Sequence, residues 1–241
     1  MNKTQSLLYF HFFTLIKAPK FIIPLGVFIF LQLMHYMTVH NPPADFFSYI
    51  FLSELFTFVI AVWLGHTSHN FIDNTTEQLL ILRTKSHIKY YTIHTIFLFN
   101  ISTVLALIGI GIPTILSFTG FFYQFTFAYF AYSLLLFLGS SFAGVSLGAL
   151  FHPRVIPQKA EAPFYAIFTC LIAVTRHPIS QAYPFLTYPL RLLPNTSAHH
   201  AIIPNSAHLT FPIVALLFLT SLAYGLIYSA IKIYALSKNK F

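Results

Sequence analysis

Twelve histidines in a chain of 241 residues raise metal and haem chemistry first. His66 and His69 stand one helical turn apart, and His177, His199, His200 and His208 gather further along. Such spacing can bind zinc, yet no carboxylate or cysteine completes either group in sequence, so both read as solvated or interfacial imidazoles. Haem within a membrane needs facing histidines on neighbouring spans. Only His35 and His94 lie in or beside apolar stretches, and they fall near opposite faces. A nucleophile is suggested faintly by Gly139-Ser140-Ser141, but Ser140, Gly144 and Gly148 recur every four residues. That stripe of small residues lets another helix approach closely, which is its simpler use. Glu54 is the one acid well inside an apolar stretch, and an ionisable group there calls for a partner or a pathway. Arg191, Arg176 and His35 are its candidate partners. Gln32 and Asn100 are expected to hydrogen-bond between helices.

The elements that must position these groups are membrane spans. Charged residues make up 7% of the chain and hydrophobic ones 57%, and the mean hydropathy is +0.74. A soluble domain needs far more charge to cover its surface, so the composition is that of an integral membrane protein. The excess of Lys and Arg, which gives +8, is then a topology signal rather than a footprint for nucleic acid. Cys170 has no second cysteine to pair with. Lys17 and Lys20 follow the apolar run Leu7 to Ile16 without a small-x-small cleavage site, so the N-terminus is expected to be retained.

Five stretches approach the roughly 20 apolar residues that a span requires: Phe21 to Val39, Phe46 to Gly65, Thr92 to Phe118, Phe125 to Leu150 and Phe211 to Leu236. A sixth, Pro163 to Thr175, would reach only ~20 Å at about 1.5 Å per residue. Charge favours counting it. With six spans every Lys and Arg except Arg176 and Arg191 lies on one side, including Lys3, Lys17, Lys20, Arg83, Lys85, Lys89, Arg154, Lys159, Lys232, Lys238 and Lys240. Both termini are then cytoplasmic. HNPPAD (His40 to Asp45) and the aromatic TGFFYQFTFAYF (Thr119 to Phe130) fall outside, as does the long loop Arg176 to Thr210 with its proline-cut YPFLTYPLRLLP. Those short apolar pieces read as helices dipping into the outer leaflet. The whole chain, 1–241, reads as a single transmembrane domain.

Polarity concentrates in one other place, NTTEQLLILRTKSHIKYY, Asn74 to Tyr91. Asn74 with Glu77 forms a capping-box pattern that begins a helix at Thr75. Arg83 and Lys85 favour its C-terminal end, and Ser86 is placed to cap the next helix. Basic residues alone are explained by an interfacial helix on the cytoplasmic face.

Taken with the amphipathic segment Ser6 to Lys17, the layout resembles the membrane subunit of type-2 ATP-binding-cassette exporters. The resemblance implies an interfacial elbow helix at Leu7 to Lys17, a cytoplasmic coupling helix at Thr75 to Lys85 between spans two and three, and short outer re-entrant helices at Ala182 to Asn205 between spans five and six. The run from Glu77 to Ser86 is similar to the family's acid, leucine run and basic turn, without the proline often found there. It further implies a separate ATPase subunit touching Glu77, Leu79, Leu80, Arg83 and Lys85, with ATP and magnesium held by that subunit and no cofactor in this chain. A second membrane subunit and a bacterial plasma membrane complete the expectation. No glycine opens a GxxxxGK followed by Ser or Thr, so the chain itself carries no nucleotide-hydrolysing motif. Aromatic-rich spans suit a hydrophobic or amphipathic cargo, such as a peptide, drug or lipid-like molecule. Two other classes fit the composition: a membrane-embedded metal-dependent enzyme using the outer histidines, and a non-catalytic scaffold or immunity protein.

Overall fold

Long uninterrupted apolar runs with few glycines or prolines leave the backbone one way to satisfy its polar groups in lipid, the helix. The computed structural model describes residues 3–38, 46–118, 126–156, 161–194, 196 and 210–238, and all regular structure among them is helical. In chain order the helices are α1 (Lys3–Lys17), α2 (Pro19–Met37), α3 (Phe46–Thr67), α4 (Asn74–Thr84), α5 (His87–Phe118), α6 (Phe127–Leu150), α7 (Ala162–Ala182), α8 (Thr187–Leu190) and α9 (Phe211–Lys238). Short 3-10 turns cover Ser68–Phe71 and Pro184–Leu186. Five helices, α2, α3, α5, α6 and α9, are long and apolar enough to cross a membrane.

The bundle is built around α6. Its run from Gly139 to Ala149 is buried throughout, enclosed by α3, α5 and α9. Small residues make this enclosure close. A β-carbon on Gly148 would lie 2.0 Å from the Val62 carbonyl oxygen, and one on Gly65 would lie 2.1 Å from that of Val145. The backbones of α3 and α6 therefore touch, which maximises the dispersion contact that holds helices together in lipid. Polar side chains on these faces pair across helices. Ser141 donates to the Ser102 carbonyl at 3.0 Å, and Ser146 and Ser229 lie 3.2 Å apart.

Two boundaries differ from the sequence reading. The cap of α4 is Asp73, whose carboxylate accepts from the Thr76 N–H at 3.0 Å, and Asn74 is already helical. Helix α7 continues through Arg176, His177 and Pro178 to Ala182, so its 21 residues reach about 31 Å instead of ~20 Å. The Arg176 guanidinium does not stop it because the Leu193 carbonyl and the Tyr224 hydroxyl accept its protons. Ser86 caps the next helix as expected: its Oγ accepts from the Lys89 N–H, and α5 starts at His87 and runs on through Thr92. Of the segment Ala182 to Asn205, the Pro184–Leu186 turn and α8 are seen. The remainder beyond Thr196, like His40 to Asp45 and most of Thr119 to Phe130, lies outside the described residues.

Candidate functional site: a polar hub at the basic end of the bundle

Helices α3, α6 and α9 end, and α5 begins, at the same end of the bundle, where α1 and α4 also pack. Each brings a polar side chain inward. Lys232, in the last turns of α9, is 2% exposed. Its Nζ stands 2.8 Å from Nδ1 of His94 on α5.

Three more imidazoles surround this pair. His69, in the turn after α3, stacks on His94 at 5.9 Å between centroids and 13° between planes, and its Nε2 donates to the Ala149 carbonyl at 3.0 Å. His152, just past α6, meets His69 edge-on at 4.2 Å. Its Nδ1 accepts the Arg154 backbone N–H at 3.0 Å. His11 projects from α1 on the face it shares with Leu7 and Leu15, and meets His94 edge-on at 5.3 Å.

Glu77 closes the hub from α4. Tyr91 donates to its Oε1 at 3.1 Å, and Arg154 donates to its Oε2 at 2.6 Å. The same guanidinium donates to the Tyr91 hydroxyl at 2.7 Å. Ser68, His69, Ile72, Glu77, Tyr90, Tyr91, His94, His152 and Lys232 line a cavity of about 10 Å³. That is room for about one water, and the walls are polar enough to hold it.

Burial governs the charge states of the members that lie outside the spans. Loss of solvent, reinforced by the Lys232 ammonium, brings the His11 imidazole down to about 4. The same two causes, with Arg154 added, bring His152 down to about 3. Both rings are neutral at physiological pH. Burial pushes the Glu77 carboxyl up, while Arg154, the Tyr91 hydroxyl and Lys232 pull against it. A buried ion pair contributes little net stability, but removing one partner strands the other. The hub is thus a clasp: α1, α4, α5, α9 and the segments after α3 and α6 meet through groups that need each other.

Sequence-selected residues separate into inward and outward sets. On α4 and its C-cap Lys85, Glu77 is buried and Leu80 half-buried, whereas Leu79, Arg83 and Lys85 are exposed. Glu77 therefore does not stand at an outer rim, because its carboxylate is taken up by Arg154 and Tyr91. Leu82, not singled out in the sequence, joins Leu79 on the exposed edge, the two being 72% and 61% exposed. Glu54 accepts from Ser140 across the α3–α6 seam, rather than pairing with Arg191 or His35. Arg191 lies over the Tyr188 ring at 5.3 Å, and His35 Nε2 lies 3.0 Å from the Tyr49 carbonyl. Gly144 and Gly148 are used within the chain against α3. Gln32 donates to the Ser53 carbonyl of the next helix at 3.2 Å, while Asn100 bonds to Ile96 of its own helix.

His66 and His69 do not converge on one point with other ligands, and among the described residues no three of His, Cys, Asp and Glu form a metal-holding group. His199, His200 and His208 lie outside the described residues. His177 meets Gln181 at 3.0 Å. Sequence reasoning missed the hub itself. Its members are spread from position 11 to position 232, and the available signal was a histidine and a lysine at matching depth in the otherwise apolar α5 and α9. No protein-family model, curated protein or solved structure matches the chain.

Proposed function

We propose that this chain is the membrane subunit of an ATP-driven exporter, moving a hydrophobic or amphipathic molecule outward through work done by a separate ATPase subunit. In this reading the chain crosses the membrane six times, α7 being the fifth crossing, and the hub end faces the cytoplasm, where positive charge is favoured. Helix α1 acts as the elbow and α4 as the coupling helix, and a second membrane subunit packs on an apolar outer face such as that of α7.

The observation that carries the reading is the setting of Glu77. A short helix outside the spans needs no buried charge to lie on a membrane, yet α4 sends a carboxylate inward to an arginine after α6 and a tyrosine of α5. A push on α4 is thereby delivered to those segments as displacement of a bonded group instead of being lost in a sliding contact. Outward, α4 offers Leu79 and Leu82 one turn apart, with Gln78, Arg83 and Lys85 around them. That is the pattern of an amphipathic helix laid into a groove of a partner.

The test is purification of the tagged chain from its native membrane, with identification of co-purifying subunits and measurement of vanadate-sensitive ATP hydrolysis after reconstitution. An ATPase subunit of the ATP-binding-cassette type is expected, and Leu79→Asp with Leu82→Asp should remove it while the chain stays inserted. Full activity of the isolated chain without any ATPase, or retention of the ATPase by the double variant, would sink the proposal.

A further inference from the structure

At the hub end, but on the outer side, a groove of about 430 Å³ runs between α1 and the corner where α4 meets α5. This volume lies within the usual range of small-molecule sites. Its chemistry is segregated. Leu7, Phe10, Leu80 and Ile93 give it an apolar floor, and Arg83, Lys85 and Lys89 stand along one rim. None of the described lining residues is acidic. The three cations take no part in the ion pair formed among the described residues, which joins Arg154 to Glu77. On the open side Tyr9 and Phe13 stack at 6.3 Å, with the Lys17 ammonium 4.1 Å above the Phe13 ring. Exposed aromatic rings with a cation beside them are the usual furniture of headgroup depth.

We infer that this groove binds a phospholipid with an anionic headgroup, its phosphate against Arg83, Lys85 and Lys89 and an acyl chain along the floor between α1 and α5. Charge complementarity argues for this occupant. Basic pockets beside membrane helices on the cytoplasmic side suit anionic headgroups, and an apolar floor has no use for a free anion. A zwitterionic lipid would fill the floor equally well but leave the three cations without a net counter-charge. The inference goes beyond the exporter reading; it rests on that reading's placement of this end at the cytoplasmic face and shares Arg83 and Lys85 with the docking edge, but its readout is lipid retention, which needs no second protein.

Native mass spectrometry of the purified chain decides it. The detergent-solubilised protein is exposed to phosphatidylglycerol, to phosphatidylcholine of the same acyl chains, or to inorganic phosphate. Each Lys or Arg close to an anionic surface is worth about fivefold in affinity, so three predict a preference for phosphatidylglycerol on the order of a hundredfold. Arg83→Gln, Lys85→Gln and Lys89→Gln together should abolish that preference while leaving phosphatidylcholine retention unchanged. Lys20→Gln with Lys238→Gln, cations of the same end but outside the groove, should leave it intact. Inorganic phosphate should neither bind nor compete. Equal retention of the two lipids, an unchanged preference in the triple variant, an equal loss in the control, or competition by phosphate would each overturn the assignment. The triple variant changes only exposed side chains, and an unchanged melting temperature checks that it is folded.

Discussion

Replacing Gly148 with alanine adds one carbon at the tightest point of the bundle. The new β-carbon would stand 2.0 Å from the Val62 carbonyl oxygen and 2.9 Å from the His66 backbone nitrogen. Both neighbours are backbone of α3, so no side chain can rotate away. Reaching even a 3.0 Å contact moves the helices about 1 Å apart, and a gap of ~0.5–1 Å forfeits a quarter to a half of a dispersion contact. The loss extends along the seam, where Phe58 and Ala61 face Gly144 and Gly65 faces Val145, and it pulls on the Glu54–Ser140 bond. Overpacking of this kind costs about 1–3 kcal/mol. Against it stands the helix propensity of alanine over glycine, a gain of about 1 kcal/mol. Gly111 and Gly26 supply the control, since a β-carbon at either meets nothing within 4 Å. There the propensity gain acts alone. Thermal unfolding in one detergent, followed by the fluorescence of Trp63, the single tryptophan and a neighbour of Val62, should show Gly148→Ala melting below wild type and Gly111→Ala at or above it. Gly65→Ala should behave like Gly148→Ala, being the reciprocal contact. If Gly148→Ala matched or exceeded Gly111→Ala in stability, the close approach of α3 and α6 would be wrong.

Two further outcomes follow from the hub. Glu77→Arg places a second cation against Arg154 and should destabilise the fold by about 3–5 kcal/mol, the usual cost of breaking a buried pair; in the charge swap Glu77→Arg with Arg154→Glu, part of that loss should return, and a swap no better than either single change would refute the pairing. His11 and His152, held at about 4 and about 3 in the fold against about 6.5 unfolded, contribute stability that is fully present above pH 6.5 and lost as pH falls toward those values. The slope is about 1.4 kcal/mol per pH unit for each ring. Glu77, raised by burial, works in the opposite sense, but a single carboxyl opposes two imidazoles. Melting temperature should therefore fall between pH 6.5 and 4.5, less steeply in His11→Phe. A flat profile would mean that the two rings are solvated.

The spans were legible because hydrophobic length is a local property of the chain, and α2, α3, α5, α6 and α9 lie close to where hydropathy puts them. Helix α7 reads short in the sequence because Arg176 and His177 look like a membrane boundary. What keeps it helical is a carbonyl at Leu193 and a hydroxyl at Tyr224, both distant in sequence. The small-residue stripe announced a close helix contact but not which helix, so whether it faced α3 or a second copy was open until the backbone was seen. Glu77 shows the same limit at the candidate site. Its cap-box position on α4 is local information, and its burial depends on Arg154, 77 residues away. Lys232 was counted among the cytoplasmic charges, since nothing near it in the chain reports that His94 receives it.

The position of Lys232 also orders the events of synthesis. It is separated from His94 by 138 residues, so at ~5–20 residues per second His94 waits roughly 7–28 s for it. Until then His94 and His69, joined by His152 once it is made, lack the lysine they surround, and α9 has not yet covered its side of α6. A chain that stalls or is cut before α9 exposes this polar mouth and the bare flank of α6 together. Both are covered in a single step when α9 packs against α6. The clasp at this end of the bundle is in this sense a check on α9, since only a chain that includes that helix brings Lys232 to His94.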